Sequence, residues 1–344
     1  MSFVYVSNAE DGTIGVYQLR SDGALAPLAR VPVEKTVMPM AVSPNRRWLV
    51  AAVRAKPYRA FTFRLDGGMP QPVGSGPLAE SFPYITFDRS GRWLLSASYG
   101  AGLVSVNPVA ADGRVGEPLQ VIPTARNAHA IRTDHSNRFV FVPHLGTDQV
   151  FQFRFDERTG RLTPNDPPFV QLKAGSGPRH LVVSADNRFV YVLNELTATV
   201  TALAHRDGLL TVASTVWALP PDSKLVPGTA RTPDASPRDR TNDVWASDLH
   251  LTPDGRFLYA AERTSSTISA LSVDGAKLTY ISSTPTEKQP RGFRIEPSGR
   301  HMVVSGEQSE TLSSYVIEPS GALRLAGRYP SGRGSNWVEI VDSE

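Results

Sequence analysis

Short apolar runs of one kind punctuate the chain: WLVAAV at 48–53, WLLSAS at 93–98, FVFVPH at 139–144, FVYVLN at 189–194, FLYAAE at 257–262 and HMVVSG at 301–306. They are rich in β-branched and aromatic residues. Each follows at once on a polar turn, at 43–48, 88–93, 134–139, 184–189, 252–257 and 296–301, that ends on an arginine and a ring. Another short apolar run precedes the turn, as in YITF at 84–87 and HLVV at 180–183. The pattern predicts strand, tight turn, strand, with Asp, Asn and Gly supplying the positive φ such turns need.

The turns end on Arg47, Arg92, Arg138, Arg188, Arg256 and Arg300, spaced 45, 46, 50, 68 and 44 residues apart. A repeat of about 40–50 residues built from short strands is the pattern of propeller blades. A seventh copy begins the chain: FVYVSN at 3–8 matches the run after each anchor. Its missing first strand lies at the other end, in 337–341, which aligns with RGFRI at 291–295. The last strand should therefore pair beside the first and close the ring, removing two open sheet edges. The expected fold is all-β, a seven-bladed propeller of four-stranded antiparallel blades, a single domain over 1–344 with almost no helix. Third and fourth strands are expected at 13–19 and 25–33, 150–155 and 168–173, and 267–272 and 278–284, joined by Asp-Gly or Thr-Gly turns. The longest interval holds an insertion at 220–242, rich in Pro, Asp, Arg and Ser, a length common in functional or disordered loops.

Composition narrows the function. The net charge of +3 is small, acidic and basic residues are mixed, and no basic stripe with aromatics argues for nucleic acid. With no cysteine, neither a disulfide framework nor a zinc–thiolate site is available. No acidic cluster marks a calcium site, and no cofactor is implied. The chain opens directly in a strand and has no apolar run near the ~18 residues of a membrane span. A cytoplasmic protein without a membrane partner is expected, and a monomer, since the ring closes on itself.

The repeat also says where chemistry should lie. Antiparallel pairing puts the start of strand one and the end of strand two at one end of each blade, and the anchor turn at the other. Nine residues before the anchors stand Met38, Pro83, His129, Arg179, Ser247 and Arg291, with Trp337 in the split blade; seven after stand Arg54, Tyr99, Leu145, Glu195, Arg263 and Glu307. First strands line the channel, so the polar members of these sets should meet at one mouth. The anchor arginines recur in six blades and so suit a turn or inter-blade role. His129, Arg179, Glu195 and Arg263 do not recur, which a single site on a repeated scaffold requires; channel-mouth salt bridges are the structural alternative. Asp248 and His250 share a first strand, where His250 also fits as an interior histidine. His144, His180 and His205 fit supporting roles. The insertion, with Lys224, Arg231, Arg238 and Arg240, is placed to cover the mouth or to be a solvated loop.

At these same residues the chain resembles the seven-bladed-propeller lactonases, a family that includes the propeller-type bacterial 6-phosphogluconolactonases and the fungal 3-carboxy-cis,cis-muconate lactonizing enzyme. The resemblance rests on NAHA at 127–130, GPRH at 177–180, NEL at 194–196, DLHLTPDGRFLY at 248–259, ERT at 262–264, QPRGF at 289–293, GRY at 327–329 and WV at 337–338. It spans the whole chain and implies that the active-site His, Arg, Glu and Arg fall on His129, Arg179, Glu195 and Arg263. Arg291, His180, Asp248, His250, Glu262 and Glu307 are the expected substrate contacts. The insertion, and the stretch GRGSN at 332–336 where Gly-x-Gly-Pro is more usual, depart from the pattern and bear on substrate choice.

Opening a lactone needs a base to activate water, donors for the carbonyl oxygen as it becomes anionic, and orientation of the substrate. Glu195 or His129 can be the base. Arg179 and Arg263 keep their protons and suit an oxyanion or substrate-anion clamp, and Arg291 suits a phosphate or carboxylate. The partner expected is a small acidic lactone. A cycloisomerase would use the same residues to clamp a dicarboxylate and move a proton, and a binding propeller would use them without turnover.

Overall fold

A computed structural model describes residues 1–231 and 237–342; residues 232–236, within the predicted insertion, and 343–344 lie outside the described residues. Seven four-stranded antiparallel sheets form a ring. Their inner strands are Ser335–Asp342 (blade 1), Val37–Val42 (blade 2), Tyr84–Phe87 (blade 3), Arg132–Thr133 (blade 4), Pro178–Val183 (blade 5), Ala246–Leu251 (blade 6) and Pro290–Ile295 (blade 7). No helix occurs among the described residues. The chain is cut inside blade 1: Ser335–Asp342 pairs antiparallel with Ser2–Asn8, from Ser2 opposite Asp342 to Ser7 opposite Trp337. Ser2 Oγ donates to Asp342 Oδ1 at 2.7 Å and Ser7 Oγ to Asn336 Oδ1 at 2.9 Å, fastening the closure at both ends.

The recurring turns explain their own composition. The first residue of each turn accepts a hydrogen bond from the amide five residues on: Trp48 N to Ser43 Oγ at 2.9 Å, Trp93 N to Asp88 Oδ1 at 3.0 Å, Phe139 N to Asp134 Oδ1 at 3.1 Å, Phe189 N to Ser184 Oγ at 2.9 Å, Phe257 N to Thr252 Oγ1 at 3.0 Å. In blade 7 the His301 ring meets Glu296 Oε1 at 2.7 Å instead. The positive φ falls on Gly91, Asn137, Asn187, Gly255 and Gly299, but on Arg46 (57°) rather than Asn45 in blade 2. Asn45 is spent otherwise: its Oδ1 accepts from Ser43 Oγ at 2.7 Å. The anchor arginines serve the scaffold. Arg92 donates to the Glu157 carbonyl of the next blade at 2.7 Å, and Arg138, Arg188 and Arg256 lie over their neighbouring rings.

Seven apolar clusters fill the seven interfaces between blades, so burial of apolar surface holds the ring together. A second contact repeats at every interface. The glycine of each hairpin between strands three and four lies against the anchor ring of the blade before it. An added Cβ would meet that ring at 2.9 Å for Gly23 on His301, 2.3 Å for Gly68 on Phe3, 2.5 Å for Gly113 on Trp48 and Gly160 on Trp93, 2.1 Å for Gly208 on Phe139, 3.2 Å for Gly275 on Phe189 and 2.5 Å for Gly321 on Phe257. The tyrosines Tyr5, Tyr191 and Tyr259 reach across the same interfaces to the carbonyls of Gly68, Gly275 and Gly321 at 2.8, 2.9 and 2.8 Å.

Two strands differ from expectation. The fourth strand of blade 4 is Arg161–Gln171, starting well before 168: it carries a bulge at 165–168, opposite Gln152 of its partner, and pairing resumes at Pro164. Blade 4's inner strand is only Arg132–Thr133, so His129 stands in the irregular segment before it, where its amide donates to the Pro143 carbonyl at 3.0 Å.

Gly160 and Gly255 give a matched test of the ring contact, with φ of +72° and +73° and, at Gly255, no atom within 4 Å of an added Cβ. Gly160→Ala is expected to destabilise more than Gly255→Ala by about 1–3 kcal/mol, the usual cost of overpacking, read as the difference between their urea midpoints. Equal midpoints would show that the ring contact does not constrain the interface.

Candidate active site

The site is built on irregularities of the inner strands. At the mouth end the ladder shifts between Val37 and Met40, Pro178 and His180, Ala246 and Leu249, and Pro290 and Gly292. Met38, Arg179, Ser247 and Arg291 therefore sit in bulges. A bulge frees a residue from the alternation of a strand and re-aims its side chain. In blade 5 the approach is fixed by Asp148, whose carboxylate accepts from Gly175 N at 2.8 Å and Gly177 N at 2.7 Å just before Arg179.

Glu195 is the hub. Its Oε2 lies 2.8 Å from Arg179 Nε and 3.0 Å from Arg263 Nη2. The Arg263 contact is a hydrogen bond; the Arg179 Nε–H is not aimed at the oxygen, so that contact is an ion pair only. All three side chains are at most 6 % exposed. Arg179 Nη1 also donates to the Ser247 carbonyl and lies 3.0 Å from His180 Nε2. Arg263 donates to the carbonyls of Trp245 at 3.1 Å and Ala246 at 3.0 Å. Among the described residues, Glu195 Oε1 and Arg263 Nη1 make no hydrogen bond. Burial, then repulsion from neighbouring guanidiniums, lowers Arg179 to about 9; burial, against the pull of Glu195, lowers Arg263 to about 10. Both keep their charge at neutral pH.

His129 completes the group in a mouth cavity of about 410 Å³, shared with Arg54, Tyr58, Glu80, Ser81, Tyr99, Glu195, Arg231, Trp245, Arg263 and Arg291. Its Nδ1 is buried without a partner, and neither ring nitrogen is hydrogen-bonded among the described residues. Burial, then the charges of Arg179, His180, Arg291 and Arg263, hold its pKa well below that of a free imidazole. It is therefore neutral at pH 7. Tyr99 lies edge-on to it at 5.5 Å, with its hydroxyl pushed up to about 12 by burial and by Glu195.

The remaining expected substrate contacts are distributed otherwise. Arg291 lines the mouth, and Glu307 stands behind it, Oε1 3.6 Å from Arg291 Nε and Oε2 accepting from Gln289 at 2.7 Å. Burial opposes ionisation of Glu307, but Arg291, Arg263 and Gln289 outweigh it and lower its pKa. His180 and Asp248 lie beneath the mouth, in an axial cavity of about 80 Å³ with Trp337 and Phe293. His180 Nδ1 donates to Asp248 Oδ1 at 2.7 Å, and its pKa is held at about 3 by burial and by Arg179. Asp248 Oδ2 meets His250 Nε2 at 3.1 Å, and His250 also lines a cavity of about 290 Å³ at the opposite mouth with Arg89, Arg132 and His135. Glu262 holds its own turn: it accepts from Trp245 N at 2.6 Å and from Ser265 N at 2.6 Å. None of His180, Asp248, His250, Glu262 and Glu307 lines the mouth cavity. Among the described residues no three His, Asp or Glu side chains are grouped to share a metal ion.

Of the insertion's cations, Arg231 reaches the cavity. Its guanidinium and that of Arg263 each lie 3.7 Å from the centroid of the Trp245 ring. Arg238 instead pairs with Asp243, and Lys224 is exposed. Tyr58, Glu80, Ser81 and Trp245 fall outside the two register sets counted from the anchors; Arg54 and Tyr99 fall within them, seven residues past an anchor, yet share no quoted family motif.

Residues 3–340 match the family described as "Lactonase, 7-bladed beta-propeller". The chain is 37% identical to a 6-phosphogluconolactonase of Serratia proteamaculans and 36% identical to one of Erwinia tasmaniensis, each over 98% of both chains. Among solved structures it resembles the periplasmic gluconolactonase of Pseudomonas aeruginosa, with a TM-score of 0.84 at 26% identity, covering 99% of each chain. A Lactobacillus plantarum protein shares the fold at a TM-score of 0.86 and 20% identity. With its seven blades and a full-length match, the chain belongs to the seven-bladed β-propeller lactonase family.

Proposed function

We propose that this protein, acting as a single propeller domain over residues 1–344, hydrolyses 6-phosphogluconolactone to 6-phosphogluconate in the mouth cavity. One observation carries the reading: a neutral, unbonded imidazole, His129, shares a cavity with a carboxylate-held arginine that has a free donor, Arg263. The relatives named 6-phosphogluconolactonase, 34–37% identical, support the choice of lactone.

His129 takes a proton from water as the water oxygen attacks the lactone carbonyl carbon. The carbonyl oxygen becomes anionic and accepts from Arg263 Nη1; such preorganised donors are usually the largest single contribution to catalysis. The intermediate collapses, the bond from the carbonyl carbon to the ring oxygen breaks, and the protonated imidazole returns the proton to that oxygen. Glu195 holds Arg179 and Arg263 in place. A second reading makes Glu195 the base, favoured by its unbonded Oε1. One chain supplies the whole site, which supports a monomer. A charged sugar phosphate cannot cross a membrane unaided, which supports a cytoplasmic location.

His129→Gln is expected to lower kcat about 10²–10⁴-fold, the usual contribution of a positioned base; Glu195→Gln is expected to lower kcat and loosen substrate binding as well. Full turnover in both variants would exclude the assignment, and turnover of carboxymuconate in an ultraviolet assay would move it to a cycloisomerase. The pH profile tests His129 as the base. The neutral form of His129 is the active one and its pKa is depressed. The plateau in kcat/KM should thus persist below pH 6.5 and fail only in stronger acid. Arg291→Met removes one of the charges that depress it, so the acid limb should move to higher pH. An acid limb that survives unchanged in the residual activity of His129→Gln would rule out His129 as its source.

A further inference from the structure

Three guanidiniums of the mouth cavity take no part in the reaction above; Arg231 rests on the Trp245 ring, which leaves Arg54 and Arg291. Arg54 follows the second strand of blade 2, Trp48–Val53, and Arg291 lies in the inner-strand bulge of blade 7. Both point their ends at one atom. Arg54 Nη1 lies 3.4 Å from Met38 Sδ, and Arg291 Nη2 lies 3.2 Å from it. A thioether sulfur is a weak acceptor, so two charged donors share a poor partner.

Arg54 lacks the anion that a half-buried guanidinium calls for, and Arg291 has only a long ion pair. Arg54 makes no ion pair among the described residues; its other contact is Nε to Ser81 Oγ at 3.0 Å. Arg291 has one carboxylate, Glu307, at 3.6 Å, and its Nε is buried without a hydrogen bond. Glu80, the other carboxylate of the cavity besides Glu195, accepts from Ser81 N at 3.3 Å and pairs with neither arginine. The two cations repel: burial lowers Arg54 to about 10, and Arg291 is the next cause. Like charges held together at a cavity wall are relieved by an anion between them. Two planar forks suit a phosphate's several oxygens.

Resting on the lactonase reading, we infer that Arg54 and Arg291 form a clamp for the substrate's phosphate, which displaces Met38 Sδ from between them. Met38 has the flexibility for this, with three rotatable side-chain bonds. The phosphate sits on the carbon next to the one bearing the leaving oxygen. A clamp on it therefore fixes the leaving side of the ester while His129 and Arg263 address the carbonyl. Ser81 holds the Arg54 fork in place, and Tyr58, whose hydroxyl makes no hydrogen bond among the described residues, lines the same wall.

The test compares kcat/KM on 6-phosphogluconolactone and on unphosphorylated gluconolactone. The wild type should prefer the phosphorylated lactone. In R54Q that preference should fall about tenfold to a hundredfold, the loss expected for a hydrogen-bonded charge, mainly through KM. R54K, which keeps the charge without the fork, should lose less and serves where R54Q does not fold. Inorganic phosphate should compete with the lactone in the wild type and compete less in R54Q. An unchanged preference in R54Q and R54K, or equal phosphate inhibition of wild type and variant, overturns the clamp. Turnover of neither lactone by the wild type would overturn the lactonase reading itself, and the clamp with it. Turnover of both without preference overturns the clamp alone.

Discussion

Each blade hands the next a flat ring, and the next lays a glycine on it. That contact constrains everything else. It recurs at all seven interfaces, from Gly68 on Phe3 to Gly23 on His301, where the last blade meets the first. The hairpin must approach closely enough to exclude even a methyl group, so the offset between neighbouring sheets has little freedom. A ring of such units is rigid at its outer face, where the hairpins and anchor turns lie. The inner strands at the other end are released from that role, and there the ladders break.

The breaks turn a repeated scaffold into an unrepeated site. Regular strands would present one residue in two to the channel. Bulges at Arg179, Ser247–Asp248 and Arg291, and the irregular segment at His129, aim side chains that strict alternation would send elsewhere. The electrostatic result is lopsided. Arg54, Arg179, Arg263 and Arg291 crowd around Glu195 and Glu307, and each guanidinium is held by backbone carbonyls, sulfur or a shared carboxylate. An excess of buried positive charge that the protein does not neutralise is a standing attraction for an anion. Burial and these charges together keep His129 unprotonated, the form the proposed base needs.

The ring was legible in the sequence because it is written seven times. The anchor turn repeats a hydrogen-bonding residue, a positive-φ residue and a ring in fixed order, and the split blade follows from matching 3–8 and 337–341 to that order. Non-recurrence then picked out His129, Arg179, Glu195 and Arg263, which lie together. Depth was not legible. Asp248 is one residue past the mouth register and His250 three, yet the bulge between Ala246 and Leu249 and the strand's course carry them down the channel, toward the opposite end. Position relative to an anchor sets depth only along an unbroken ladder, and the ladder breaks at the proposed site. Glu262 illustrates a different limit: beside Arg263 in sequence, its carboxylate faces the other way and holds its own turn. Tyr58, Glu80 and Ser81 come from loops that the repeat leaves free.

The insertion joins these two levels. It lies between the fourth strand of blade 5, Leu209–Trp217, and the inner strand of blade 6, and Gly228 N donates to the Leu196 carbonyl at 2.8 Å, one residue from Glu195. Arg231 and Arg263 stack on one indole, Trp245, at equal distances of 3.7 Å. Two cations can share one ring because each is drawn to the ring's electron density. Arg263 is thus held on three sides, by Glu195, by the carbonyls of Trp245 and Ala246, and by the Trp245 ring. A loop outside the repeat therefore bears directly on an arginine with a free donor in the cavity. In this chain the part of the sequence with the least internal symmetry is coupled, through the Trp245 ring and the Gly228–Leu196 hydrogen bond, to the residues proposed for the chemistry.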